Sequence, residues 1–147
     1  MILVSHRGNI SGRDPTKENS VDYILAAIDL GFDVEIDVWY DLNKKQYFLG
    51  HNEPIYEISS DFLLTDGLWC HAKNKTALEK LLELDVNCFW HQNDKFTLTS
   101  RGFVWCYPDN WSEKGITVVF DSPNTAVLSK NIMGICVDDP LEWRKLL

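Results

Sequence analysis

The strongest constraint on the fold is a strand in which two acidic residues alternate with β-branched residues, followed by a short hairpin that ends in a histidine. The stretch reads GFDVEIDVWYDLNKKQYFLGH. Alternation from Val34 to Val38 predicts a strand with one apolar face, and it places Glu35 and Asp37 together on the other face. A polar turn and a second short strand then deliver His51 to the same neighbourhood.

The chain opens with another short apolar strand that ends in reactive side chains. Met1 to Val4 is apolar, and the sequence Ser-His-Arg-Gly follows it, with His6 and Arg7 at its centre. A Glu-x-Asp strand on its own is most simply interpreted as an amphipathic hairpin with a wet face. A neighbouring strand that ends in His-Arg-Gly instead indicates a site built at one end of a sheet.

Length and charge exclude several classes of protein. The chain of 147 residues suits one domain, and its net charge of -8 argues against binding along a nucleic-acid backbone. No apolar segment approaches the roughly 20 residues of a membrane span, and the start lacks a basic region followed by a long apolar one. We therefore expect a soluble, cytoplasmic protein.

The four cysteines are widely spaced and each lies in a segment with strand character. They are Cys70, Cys88, Cys106 and Cys136. A zinc knuckle or a secreted disulfide framework would require closer, turn-borne spacing. Buried free thiols in a reducing compartment are therefore predicted.

Two helices are predicted in the first half of the chain. Apolar residues from Val21 to Ile28 recur at helical spacing, with polar residues before them to cap the start. A second helix is predicted to begin with a capping box at Thr76 and Glu79 and to continue to about Leu84. A short terminal helix is predicted after Asp139-Pro140.

The second half of the chain is rich in predicted strands. These are Asn87 to His91, Phe96 to Ser100, Phe103 to Tyr107, Ile116 to Phe120 and Ile135 to Val137. The early alternation of strands and helices favours βα units and a parallel sheet. Because a full eight-unit barrel takes about 250 residues, a barrel of this length would be a pared-down one.

Four short motifs together resemble a known family. They are His6-Arg7-Gly8, Glu18-Asn19 before a helix, Glu35-x-Asp37 in a strand, and Gly50-His51 after a hairpin. Their order and spacing resemble the signature of the glycerophosphodiester phosphodiesterases, in the phosphatidylinositol-phospholipase-C-like phosphodiesterase superfamily. The resemblance implies an α/β fold, here a reduced (β/α) TIM-type barrel with several outer helices missing. It also implies metal-dependent hydrolysis of a small phosphodiester of the glycerophosphodiester kind.

The resemblance further implies roles for individual residues. The positions matching Glu35 and Asp37 bind a divalent cation, and those matching His6 and His51 act as general acid and base. The positions matching Arg7 and Lys73 contact the phosphate, Lys73 lying at the end of a strand that begins near Leu68. The chemistry agrees independently, because carboxylates suit Mg²⁺ or Ca²⁺ and imidazole carries protons near neutral pH.

Two positions depart from the family pattern and leave alternatives open. Asn52 stands directly after the hairpin histidine, where the family often has an aspartate. His71 stands where the family carries a third metal-binding glutamate. A ring nitrogen of His71 could still be a ligand, which would favour Mn²⁺ more than Ca²⁺. The alternatives are a catalytically degenerate module that binds phosphate and metal, or an interaction protein. Self-association is expected if Phe89, Phe103 or Val119 faces outward.

A second group of candidates is assigned more generally. Glu18 is expected to orient His6 or Arg7, and His91 to extend the site or to form a hydrogen-bonded loop. Asp121 and Asp138 follow strands where site residues occur, although aspartates there are also ordinary turn formers and helix caps. Two aromatic residues, Trp105 and Tyr107, share a strand face and are candidates for the substrate mouth or for the core.

Overall fold

Ten strands form one mixed sheet in a computed structural model, which describes residues 1–147. The strands are β1 (Ile2–His6), β2 (Asp33–Asp41), β3 (Gln46–Leu49), β4 (Tyr56–Ile58), β5 (Leu68–Ala72), β6 (Cys88–Phe89), β7 (Phe96–Leu98), β8 (Val104–Cys106), β9 (Gly115–Val119) and β10 (Gly134–Val137). Four short helices accompany them: α1 (Val21–Asp29), α2 (Lys75–Glu83), α3 (Thr125–Leu128) and α4 (Pro140–Arg144). A 3-10 turn covers Asp61–Leu64.

Most of the sheet is parallel, and the register of its strands places the candidate site residues next to one another. Parallel neighbours follow in the order β6, β5, β2, β1, β10, β9 and β8. The hairpin of β3 and β4 pairs antiparallel with the C-terminal half of β2, and β7 pairs antiparallel with β8. His6 is the register partner of Glu35, and Asp37 is the partner of His71. Side chains of adjacent strands on one face of the sheet therefore meet at the same end.

The expectation of a reduced (β/α) TIM-type barrel is wrong. The sheet curls into a mixed half-barrel, and only α1, α2 and α3 connect parallel neighbours. The chain passes from β2 to β5 through an antiparallel hairpin, from β6 to β8 through β7, and from β8 to β9 through a loop. These connections are too short or too rich in turn residues to hold a helix. A ring of outer helices is therefore absent.

The apolar residues form an outer core and an inner core on the two faces of the sheet. The largest cluster has 15 buried residues and packs α1 and α2 against the outer face of β2 and β5, with Ile36 and Leu81 fully buried. A smaller cluster on the concave face includes Trp69, Phe89 and Trp105. This inner cluster forms an apolar floor beneath the ends of the parallel strands.

Several local predictions are confirmed, and others are wrong. Helix α1 lies where the periodicity predicts it. The capping box of Thr76 and Glu79 does not start α2, because Asn74 is the N-cap residue and accepts a hydrogen bond from the Ala77 amide. Strand β4 and helix α3 were not predicted, and α4 ends at Arg144.

The cysteines and the strand faces complete the description. All four cysteines are free and buried, as predicted. Phe89 and Val119 are buried and Phe103 is half-buried, so these side chains give no reason to expect self-association. None of the helices is long and apolar enough to cross a membrane.

Candidate active site

A cavity of about 390 Å³ opens at the C-terminal ends of the parallel strands. One side is polar and is lined by His6, Arg7, Glu35, His51, His71 and Lys73. The other side is largely apolar and is lined by Trp90, His91, Gln92, Trp105, Tyr107, Pro108, Val118 and Phe120. Because strand alternation sends every second residue to the concave face, β1, β2 and β5 all contribute polar groups here.

Glu35, Asp37 and His71 form a buried group at the base of the polar side. Nδ1 of His71 lies 3.6 Å from Oε1 of Glu35 and 3.3 Å from Oδ1 of Asp37. One ligand atom from each of the three residues lies within 4.8 Å of the others. Strand alternation places Glu35 and Asp37 on one face of β2, as predicted. The pairing of β2 with β5 places His71 next to Asp37 on the same face.

The three residues fit a divalent cation. Glu35 and Asp37 are 2% and 0% exposed. Oε2 of Glu35 accepts no hydrogen bond, whereas Oδ1 of Asp37 has the nitrogens of His71 and Lys73 each at 3.3 Å. Buried carboxylate oxygens without partners are uncommon and call for an explanation such as a bound ion. Two carboxylates with one imidazole are compatible with Mg²⁺, Ca²⁺ or Mn²⁺.

Arg7 connects the acidic group to the residues around it. Its Nε lies 3.1 Å from Oδ2 of Asp37, and one terminal nitrogen donates to Glu18 at 3.1 Å. The other terminal nitrogen lies 3.3 Å from Nε2 of His51. Lys73 adds a second cation, with Nζ 3.3 Å from Oδ1 of Asp37. Glu18 therefore orients Arg7, one of the two roles expected of it, and lies outside the possible metal group.

Asn19 holds Asp37 in place through both of its amide atoms. The side-chain oxygen of Asn19 accepts the Asp37 backbone N–H at 2.8 Å, and its nitrogen donates to Oδ2 at 2.9 Å. Asn19 is fully buried and has a φ of 64°, a left-handed conformation that asparagine tolerates better than most residues. The segment before α1 is thus tied directly to the acidic strand.

His6 is oriented by an aspartate from the other end of the chain. Its Nδ1 lies 2.8 Å from Oδ1 of Asp138, which follows β10, the neighbour of β1. Nε2 of His6 points toward the cavity and lies 3.9 Å from Oε2 of Glu35. Asn9 supports this arrangement by donating to both Asp138 and Glu18.

His51 is presented by a turn that requires glycine. Gly50 has a φ of 149°, and a side chain there would collide with the Glu53 carbonyl. The indole of Trp39 donates to the Gly50 carbonyl at 2.6 Å. Nδ1 of His51 lies 3.2 Å from Oδ2 of Asp37. Because the Arg7 guanidinium has only donors, Nε2 of His51 accepts from it and Nδ1–H donates to Asp37.

Burial and charge shift the pKa values of the group in opposite directions. Burial alone would raise the pKa of Asp37, but hydrogen bonds from His51 and His71 and the charge of Lys73 hold it well below its usual value. Burial would lower the pKa of His71, but Asp37 and Glu35 raise it to about 9. Burial and the neighbouring His71 lower the pKa of His91 to about 4. Without a metal, Asp37 therefore carries a negative charge and the neighbouring His71 ring a positive one near neutral pH.

Of the remaining candidates, His91 lies in the cavity and Asp121 lies outside it. His91 lines the cavity and stacks on His71, with ring centres 4.7 Å apart. Asp121 is exposed and lies outside this cavity. Trp105 and Tyr107 both line the cavity, and Trp105 is also buried in the inner core.

Several residues of the site were not assigned from the sequence, and Asn9, Asn19 and Phe120 are three of them. Asn9 and Asn19 hold other site residues through contacts that no spacing rule predicts. Phe120 lines the cavity, and strand alternation from Ile116 through Val118 could have found it. The asparagines depend on loop conformation, whereas Phe120 follows a periodic pattern.

Comparisons with known proteins leave the family open. No protein-family model matches the chain, and no curated protein matches it significantly. The resemblance to glycerophosphodiester phosphodiesterases stays a prediction from the sequence. The functional argument depends on the geometry of the cavity.

Proposed function

We propose that the chain is a metal-dependent hydrolase of small phosphodiesters, of the glycerophosphodiester kind. One observation carries the proposal: Glu35 and His71 of the buried acidic group line a single cavity together with two cationic side chains and two further histidines, and Asp37 lies fully buried beside them. Its size suits a small molecule, and the net charge of -8 argues against nucleic acid as the substrate. Four free cysteines favour a reducing compartment, and we propose the cytoplasm.

A cation supplies the charge that this chemistry needs. Held by Glu35, Asp37 and His71, a divalent ion such as Mg²⁺, Ca²⁺ or Mn²⁺ would neutralise phosphate charge and acidify a bound hydroxyl or water. Arg7 and Lys73 flank the acidic group, within 3.1 and 3.3 Å of Asp37. Both can turn their donors to a phosphate, the planar guanidinium at two points and the ammonium at one.

The two histidines divide the proton transfers. A phosphate that binds the Arg7 donor releases Nε2 of His51, which can then accept the proton of the attacking hydroxyl. A new P–O bond forms as the ester P–O bond breaks. His6 delivers a proton from Nε2 to the leaving alkoxide, while Asp138 holds the opposite side of the ring. Each proton lost by the nucleophile is thus matched by one gained by the leaving group.

A second candidate function has its own supporting observation. Asp37 is already paired with Arg7, His51 and Lys73, so its charge is compensated without a metal. A module that binds phosphate or metal without turnover would need no more than this. The two candidates differ in one measurable property, the release of alcohol from a phosphodiester.

The test measures turnover on a panel of small phosphodiesters with Mg²⁺, Ca²⁺ and Mn²⁺ in turn. Chelation is expected to abolish turnover reversibly. His51→Ala should lower the rate about 10²-fold or more, the usual scale of acid–base catalysis, while metal binding stays nearly intact. Glu35→Gln should weaken metal binding, so that excess cation partly restores the rate. Asp29→Asn, an exposed position on α1 that does not line the cavity, is the control.

The outcomes separate the two candidates. Turnover that requires both the cation and His51 supports the hydrolase. A wild-type protein that binds metal but releases no alcohol, with His51→Ala behaving identically, favours the binding module. Calorimetric titration of the metal gives the binding data independently of turnover.

A further inference from the structure

A second cavity of about 240 Å³, a groove, lies at the C-terminal end of β9, beside the loop that follows β8. Thr117 and Val119, on the outer face of β9, line it, and Val118, which belongs to the inner core, lines it as well. The strands β8 and β9 are joined by a loop and not by a helix. The groove lies between that loop and α3.

The walls of this groove are largely apolar and are joined by one contact. Trp111, on the loop, is 51% exposed, although an indole is one of the largest apolar groups. Nζ of Lys130, which follows α3, lies 3.7 Å from the centre of the Trp111 ring. Val127 and Ile132 line the opposite side. The cation–π contact therefore holds the two walls at a fixed separation.

The groove borders the candidate active site. The two cavities share Pro108, Val118 and Phe120 as lining residues. Phe120 is 61% exposed, and its ring centre lies 5.5 Å from that of His6. A large exposed ring at the border of two cavities offers one continuous apolar surface to a ligand held at His6.

We propose that this groove binds an apolar ester group, an unbranched alkyl chain, of the phosphodiester whose phosphate lies at Arg7 and Lys73. The inference depends on the proposed function. Two acidic residues, Asp109 and Asp121, line the groove with one cation, Lys130, whose ammonium group lies over the Trp111 ring. The lining therefore has a net negative charge, which opposes a second anionic group there. The occupant is therefore neutral, and the apolar walls select a hydrocarbon over a polar alcohol.

The activity test varies only the alkyl group. Alkyl p-nitrophenyl phosphates with methyl, butyl, hexyl and octyl chains are compared with the same cation, below their micelle concentrations. We expect kcat/KM to rise about threefold per methylene over the first members, close to the gain for a buried methylene. The methyl ester gives the value of kcat/KM for a substrate whose alkyl group is too short to occupy the groove.

Matched variants assign the effect to the groove. Val127→Trp fills it and should remove the dependence on chain length while preserving turnover of the methyl ester. Ala126→Trp places the same side chain at an exposed neighbouring position that does not line the groove. It should behave as the wild type. Trp111→Ala removes one exposed wall of the groove and should also weaken the dependence of kcat/KM on chain length. It replaces Val127→Trp as the test if that variant does not fold.

A binding measurement keeps the inference separate from the proposed function. Methyl, butyl and octyl phosphate are titrated by calorimetry in the wild type and the three variants. Affinity that rises with chain length only when the groove is intact supports the inference, even if no ester is hydrolysed and the proposed function fails. Turnover or binding that is independent of chain length in the wild type overturns it. An equal dependence in Val127→Trp and Ala126→Trp also overturns it.

Discussion

At the scale of residues, Asp138 joins the two ends of the chain within the candidate site. It accepts hydrogen bonds from His6 and Asn9, each at 2.8 Å. Burial would raise the pKa of Asp138, but the hydrogen bond from His6 and the charges nearby hold it below its usual value of 3.8. A carboxylate with a lowered pKa stabilises the fold only while it is ionised.

Asp138→Asn is expected to have an effect that depends on pH. Because the folded pKa is lowered, the stabilisation is present above the unfolded value and is lost as pH falls through the folded one. The variant should be less stable than the wild type by about 1 kcal/mol near neutral pH, and the difference should shrink below about pH 4. Urea unfolding at several pH values measures this. Asp121→Asn is the control, and a difference constant with pH would contradict the argument.

Site residues differ in how far the sequence could predict them. Glu35 and Asp37 share a face because strand alternation leaves no other arrangement. The sequence predicts Asn19 only as part of the Glu18-Asn19 motif and as one of the polar residues that cap the helix after it. Its actual role depends on a left-handed backbone and a partner 18 positions away. Local patterns carry no information on such a contact, so it could not be predicted.

At the scale of elements, the sequence before α2 offers two possible N-terminal caps for the helix. The sequence Asn-Lys-Thr-Ala-Leu-Glu contains both an N-cap candidate at Asn74 and a capping box that begins at Thr76. The helix begins after Asn74, whose side chain also donates to the Tyr40 carbonyl in β2. The Asn74 side chain accepts a hydrogen bond from a helix amide and also binds the start of the helix to the sheet. A cap at Thr76 would not make this second contact with Tyr40.

Replacing each candidate cap by alanine tests this assignment. Asn74→Ala should lower the free energy of unfolding by about 1 kcal/mol, because the Ala77 amide loses its acceptor. Thr76→Ala lies inside the helix and should change it by less than about 0.5 kcal/mol. Chemical denaturation of both variants provides the measurement. A larger loss for Thr76→Ala would place the cap two residues later.

Elements with a strong period were predictable, and their connections were not. The strands around Glu35, Cys70, Val118 and Cys136 all follow from apolar patterning. The barrel expectation failed because patterning indicates that strands are parallel but not what covers them. Strand β4, only three residues long, has too few positions to show a period.

At the scale of the whole molecule, a half-barrel without a ring of helices must cover its outer face by other means. Helices α1 and α2 cover β2 and β5, whereas a separate cluster covers β9 and β10. Trp143, in the five-residue helix α4, is the largest member of that cluster and is 1% exposed. One indole therefore supplies much of the packing that a longer helix would supply elsewhere.

Trp143→Ala is expected to be among the most destabilising single substitutions in the chain. It removes a buried indole beside Val119, Ile135 and Val137, and large-to-small changes of this kind cost about 3–5 kcal/mol. The matched control is Trp111→Ala, which removes an indole that is 51% exposed and loses mainly its contact with Lys130. That variant should lose about 1 kcal/mol or less. Urea unfolding followed by circular dichroism compares the two. Equal losses would mean that α4 does not seal the core, and the cover of β9 and β10 would have to come from elsewhere in the chain.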